Sequence, residues 1–226
     1  MRISLRSTPA LWLALALVAA CAAASPAEHQ QSAQVAIAPA TRTSVTDTTP
    51  NAQRAYTAAD IQFMGGMIGH HAQAIVMAHW APTHEASPAI RRLADRIINA
   101  QQDEIAAMQR WLRDRNQPVP EARPTGMRMM MNGVEHDMLM PGMLTEAQMK
   151  QLDQARGPEF DRLFLTFMIQ HHRGAVSMVK ELFDSYGAGQ DETVFKFASD
   201  VNVDQSTEIA RMEKMLVYVT LGIGTQ

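Results

Sequence analysis

The chain has 226 residues, a formal charge of −3, eight histidines, 17 methionines and one cysteine. A single cysteine excludes an internal disulfide framework. A net negative charge without a basic, aromatic-studded patch argues against nucleic acid as a partner.

Residues 1–20 read as a signal peptide. Arg2 and Arg6 precede an apolar run from Ala10 to Ala20, which is short of the roughly 20 residues a membrane-spanning helix needs and suits a secretory core. The run ends Leu17-Val18-Ala19-Ala20-Cys21, which resembles a bacterial lipobox with Cys21 as the lipidated residue. The alternative is an ordinary signal peptide cut near Ala24. Residues 21–55, rich in Ala, Ser, Thr, Pro and Gln, have little to bury and read as a disordered tether. The expected location is the periplasm or cell envelope, with the chain anchored to a membrane through its lipid.

The globular part is expected over 56–226. Thr57-x-x-Asp60 has the form of a capping box for a first helix that Pro82 would end. Ser87-Pro88 supplies an N-cap and an N1 proline for a second helix reaching about Asn116. Thr145-x-x-Gln148 suggests a short extra helix to about Ala155. Gly157-Pro158 opens another long helix that Gly187 closes, and the last runs from about Glu192 to Leu221. No segment alternates with period two over a strand's length, so no sheet is expected.

The long helices are related in pairs. Asp60-x-x-Phe63-x-x-x-Met67-Ile68-x-His70-His71-x-x-Ala74-x-x-Met77 recurs 101 residues later as Asp161-x-x-Phe164-x-x-x-Met168-Ile169-x-His171-His172-x-x-Ala175-x-x-Met178. A second match, from Leu93 to Met108 and from Phe197 to Met212, has an offset of 104. Each half is therefore a helical hairpin, repeat 1 over 56–116 and repeat 2 over 145–222. Together they predict an all-α four-helix bundle with approximate two-fold symmetry. The crossover, 117–144, carries Met127, Met129, Met130, Met131, Met138, Met140, Met143 and His136. Its glycines and prolines argue against a helix.

Phe, Ile and Ala repeat for packing, but paired imidazoles flanked by thioethers in both halves point to a metal. Met67 stands i, i+3 and i, i+4 to His70 and His71, so sulfur and imidazole can converge, and Met168 repeats this with His171 and His172. Gln101, Glu104 and Met108 fall on the apolar stripe of the second helix. Glu104 and its counterpart Glu208 need partners there, either as ligands or as acceptors that orient histidine. In the crossover, His136, Met138, Met140 and Met143 form the best candidate segment. Thioethers favour Cu(I), and Ag(I) fits the same donors. Met77, Met108, Met178 and Met212 suit core packing as well. Asp60 and Asp161, near helix N-termini, read as capping or dipole-stabilising residues, and His79 and His84, lacking counterparts, as surface residues.

The doubled Phe-x-x-x-Met-Ile-x-His-His-x-x-Ala-x-x-Met motif and the Met140-Pro141-Gly142-Met143 element resemble the bacterial family named domain of unknown function 305 over roughly 56–220. The resemblance implies a ferritin-like bundle, an exported protein and, in some members, copper binding linked to copper tolerance. It implies no established enzymatic activity. Carried over, it points to Met67, His70, His71, Met77, Met168, His171, His172 and Met178, together with the crossover Met and His residues. The expected function is thus non-catalytic sequestration or delivery of Cu(I), possible also for Ag(I), with a copper-transfer partner protein left open. The alternatives are a ferritin-like dinuclear metal oxidoreductase using Glu104, Glu208 and the histidines, and a structural envelope lipoprotein without metal.

Overall fold

The computed structural model describes residues 56–131 and 133–222; the segments assigned to the signal peptide, Cys21 and the tether lie outside the described residues. Five helices and one hairpin follow in order: α1 Ala58–His79, α2 Pro88–Asp114, β1 Met127–Met131, β2 Val134–Met138, α3 Glu146–Gln154, α4 Gly157–Asp184 and α5 Glu192–Thr220. The capping boxes form at Thr57/Asp60 and Thr145/Gln148, and Ser87 caps α2 with Pro88 behind it. The first helix stops short of Pro82, at His79, and passes through a turn in which Thr83 N and His84 N both donate to the Trp80 carbonyl.

Two expectations fail. The crossover holds a two-stranded antiparallel sheet, with Met127 opposite Met138 and Met129 opposite His136. His84 is not a surface residue. It is 5% exposed, and its Nε2 lies 2.9 Å from the Asp153 carbonyl oxygen, joining the α1–α2 turn to the end of α3. His79 is exposed, as expected.

Helices α1 and α2 pair, α4 and α5 pair, and the two hairpins meet through α1 and α4. The hairpins fasten each other's turns reciprocally. Asp60 of α1 accepts from Gly189 N ahead of α5 (2.7 Å), and Asp161 of α4 accepts from Ser87 N ahead of α2 (3.1 Å). Each aspartate thus satisfies a backbone donor in the opposite half as well as standing near its own helix start.

The core is divided. One apolar cluster contains Met77, Ile90, Leu93, Ile97, Phe164, Met168 and Met212. The other contains Phe63, Met67, Ile68, Met108, Leu112, Met178 and Val201. In every long helix the polar motif residues fall between the positions feeding these two clusters. A histidine-bearing layer is thereby shut in by hydrocarbon on both sides.

Candidate metal centre

His70, His71, His171 and His172 are each 0% exposed, and the two helices that meet across the bundle bring them together. The His70 and His171 ring centroids are 3.8 Å apart, and within each pair the adjacent rings are 6.3 Å apart. Burial, followed by the neighbouring imidazole of His71, lowers the His70 pKa to about 3. Burial and then His70 hold His171 well below the usual histidine range. Both rings are therefore neutral near pH 7, the form that carries a free lone pair.

The glutamates reach these rings from α2 and α5. Glu208 Oε2 accepts from His172 Nε2 at 2.8 Å. Glu104 Oε2 stands 2.7 Å from His71 Nε2, close enough for an ion pair but not aligned as a hydrogen bond, so this nitrogen is left formally without one. Arg96 adds a 3.6 Å contact to Glu208. Outside them, burial and then Glu104, Asp200 and Glu208 raise the carboxyl pKa of Asp204, giving the layer an acidic rim.

Several polar atoms in this layer are buried with no hydrogen-bond partner. They are Nδ1 of all four histidines, Nε2 of His71 and His171, both side-chain polar atoms of Gln101 and Oε1 of Gln205. An unsatisfied buried polar group is costly, and such a concentration marks a place where water or an ion belongs. Among the described residues, no three His, Cys, Asp or Glu side chains are placed to hold a metal by themselves. A soft ligand set has to include thioether sulfur or a separation of the stacked rings. Met67 and Met168 are fully buried in the two clusters flanking the layer, as are Met77 and, at 5% exposure, Met178. The donor chemistry fits copper and silver.

The crossover covers the α1 side of this layer. His70 Nε2 lies 3.0 Å from the Pro141 carbonyl oxygen, which can only accept. Gln73 donates to Pro124 O and Leu144 O and accepts from Leu144 N, so one buried side chain clamps both ends of the crossover. Gln170 donates to Gly142 O. Close seating requires glycine. A Cβ on Gly174 would lie 1.9 Å from Pro141 O, and one on Gly69 would lie 2.9 Å from Gly126 O. The glycines in α1, which read in isolation as helix-weakening, are the clearance for a second chain segment. They also explain why α1 is buried nearly all round rather than on one face.

The crossover candidates separate by environment. His136 is exposed, Met138 is 41% exposed, Met140 is half-buried and Met143 is buried. Met143 Sδ already accepts from Met140 N at 3.3 Å. Met140 also lines a cavity of about 140 Å³ with Phe63, Pro141, Met178 and Glu181. Met127, a crossover methionine outside the best candidate segment, joins it. A Cβ on Gly66 would be 3.2 Å from Met127 Cε and 3.3 Å from Met140 Sδ, so both methionine ends rest on the bare helix backbone there. The sequence signal was Asn132-Gly133, a favoured two-residue turn that predicts the hairpin and with it the pairing of Met127 beside Met138.

Known proteins resemble this chain. The family described as Domain of unknown function (DUF305) matches residues 60–216. A crystal structure of a DUF305 protein from Streptomyces coelicolor, classed as secreted, is similar at 29% identity and a TM-score of 0.60, covering 72% of this chain and 94% of that one. CopM in its Cu(II)-bound form is similar at 30% identity and a TM-score of 0.54, over 70% of this chain and 95% of that one. Its Cu(I)-bound form gives 28% identity and 0.53, over 74% and 99%, and an Ag-bound form gives 29% and 0.50, over 69% and 93%. An uncharacterized protein of Acanthamoeba polyphaga mimivirus is 43% identical over 56 residues, 25% of this chain; the match spans 37% of that protein's length.

Proposed function

The chain belongs to the DUF305 family, and on that premise we propose that it binds copper as cargo, chiefly Cu(I) and by the same donors Ag(I), and sequesters or hands on the ion without catalysing a reaction. The observation that carries this reading is the closed layer of four buried imidazoles, each with an unpartnered Nδ1, between clusters containing buried methionines. Two groups of residues would hold the ion. Met67, His70, His71, Met168, His171 and His172 offer a water-excluded site, with Met77 and Met178 further along the same helices and Glu104 and Glu208 against the rings. His136, Met138, Met140 and Met143 offer an accessible one on the crossover. Thioethers bind no proton at ordinary pH, so they load without the competition that thiolates meet. CopM, solved with Cu(I), Cu(II) and Ag, supports the choice of metal.

Anaerobic Cu(I) titration against a chromophoric chelator tests the reading. Wild type should remove Cu(I) from the chelator. His70→Ala/His71→Ala should lose the tight fraction, and a crossover variant with Met138, Met140 and Met143 changed to Leu should load more slowly while retaining it. Wild type that cannot compete with a weak chelator would end the proposal, and iron or manganese in the purified protein would favour the oxidoreductase instead.

The same proposal places the domain outside the cytoplasm on a lipid-anchored tether. The pattern around Cys21 and the similar Streptomyces coelicolor protein classed as secreted support it. Cys21→Ser should move the protein from the membrane pellet to the soluble envelope fraction. An unchanged distribution would remove the anchor from the picture.

A further inference from the structure

The histidines offer a consistent atom, and the geometry points to Nδ1 as the nitrogen each ring presents to the cation. Glu104, Glu208 and the Pro141 carbonyl then act as positioning groups on the opposite side of the rings, not as ligands. This rests on the copper reading above but concerns what the chain's own residues do before any ion arrives.

Three acceptors from unrelated parts of the chain reach the same ring position. Pro141 O is 3.0 Å from His70 Nε2, Glu208 Oε2 is 2.8 Å from His172 Nε2, and Glu104 Oε2 is 2.7 Å from His71 Nε2. A backbone carbonyl can only accept, so His70 must carry its proton on Nε2. The Glu208 carboxylate likewise only accepts, so His172 also carries a proton on Nε2, and Glu104 stands where it would accept from the same atom of His71. A neutral imidazole with its proton on Nε2 has its lone pair on Nδ1. In all four rings Nδ1 is buried and unpartnered. The carboxylate–imidazole pair also makes the free nitrogen more basic and fixes the ring's orientation. Glu208 spends an oxygen on that task, and Glu104 holds one 2.7 Å from His71 Nε2 without an aligned hydrogen bond. His171, whose nitrogens make no well-aligned hydrogen bond and which has only the His70 backbone beside it, serves as the internal contrast.

Nitrogen-15 NMR of histidine-labelled, metal-free protein reads the tautomers directly. His70 and His172 should show a protonated Nε2, with His71 following them. A protonated Nδ1 on His70 or His172 overturns the assignment. On addition of Ag(I), the bound histidines should shift at Nδ1, whereas shifts confined to Nε2 would overturn it. Glu208→Gln keeps an oxygen acceptor and should hold both the tautomer and Ag(I) affinity to within about threefold, while Glu208→Leu should release the ring and weaken Ag(I) by roughly 10- to 100-fold. If Gln weakens binding as much as Leu does, with the tautomer unchanged, Glu208 is itself a ligand and the inference is wrong. Metal-free tautomers as expected but no Ag(I) uptake would instead sink the functional reading, and the cation half of this one with it.

Discussion

The two repeats carry the same histidine motif, yet the crossover touches them differently. In the first half Gly69 and Gln73 stand one turn apart on α1; at the equivalent places on α4 the order is inverted, Gln170 and then Gly174. Gly69 gives room to the Gly126 end of the crossover, and Gly174 gives room to Pro141 and Gly142. Gln73 clamps Pro124 and Leu144, and Gln170 holds Gly142. The exchange of one glycine for one glutamine lets a single strap lie across a two-fold bundle. It also makes the halves chemically unequal: His70 is hydrogen-bonded to the strap, and its partner ring His171 has no well-aligned hydrogen bond, only the His70 backbone beside it. The repeat supplies the histidines twice, and the crossover decides which of their nitrogens is engaged.

Acid probes both halves together and carries the largest expected effect. The folded chain keeps His70 and His171 neutral, with pKa values depressed by burial, whereas an unfolded histidine takes a proton near pH 6.5. Below that pH the unfolded state binds more protons, so stability falls. The loss is absent above about pH 6.5 and for His70 is complete near pH 3. Each imidazole contributes a slope of roughly 1.4 kcal/mol per pH unit inside its window. For His70 alone the sum is on the order of 5 kcal/mol. Urea unfolding of the metal-free protein at pH 7, 6, 5 and 4 should show this decline, and His70→Gln or His171→Gln should each remove about half of the slope. A stability indifferent to pH across that range would mean that the rings reach water.

Gly174→Ala attacks the seat of the strap and comes next. Its Cβ would fall 1.9 Å from Pro141 O and 2.6 Å from Gly142 Cα, both backbone atoms that cannot swing aside. The strap has to lift, at a cost of about 3 kcal/mol in thermal or denaturant unfolding. The His70–Pro141 hydrogen bond should go with it, leaving His70 as unpartnered as His171. A variant of wild-type stability would show that the crossover does not lie in this groove.

What could be read from the sequence follows the same division. The helix starts, the two hairpins and the glutamates turned towards the histidines were all legible, because capping, repetition and a polar residue on an apolar stripe are local signals. The strap was not. Gly69 and Gly174 carry no local sign of their purpose, because the segments they admit lie 57 and 32 residues away along the chain. His84 looked solvent-facing because its partner, Asp153, belongs to the far side of the crossover. The hairpin escaped because Met127–Met131 is apolar at nearly every position and hides a period of two, although Asn132-Gly133 announced the turn. Read as a repeat, the inversion of Gly69/Gln73 into Gln170/Gly174 was itself a visible departure from symmetry.

The smallest effect, and the one that best separates packing from cargo handling, belongs to Gly66. An added Cβ there would meet Met127 Cε at 3.2 Å and Met140 Sδ at 3.3 Å, the free ends of two flexible side chains. Unlike the strap backbone over Gly174, these ends can move by rotating about side-chain bonds. Alanine also gains about 1 kcal/mol over glycine in a helix interior, so crowding and propensity oppose each other. Gly66→Ala should therefore change stability by less than about 1 kcal/mol. If the thioethers of Met127 and Met140 take part in capturing the ion, displacing them should slow Cu(I) transfer from a chelator while leaving the final amount bound unchanged. Wild-type transfer kinetics in a protein of wild-type stability would make these two methionines packing residues and leave capture to the exposed Met138 and His136 of the second strand.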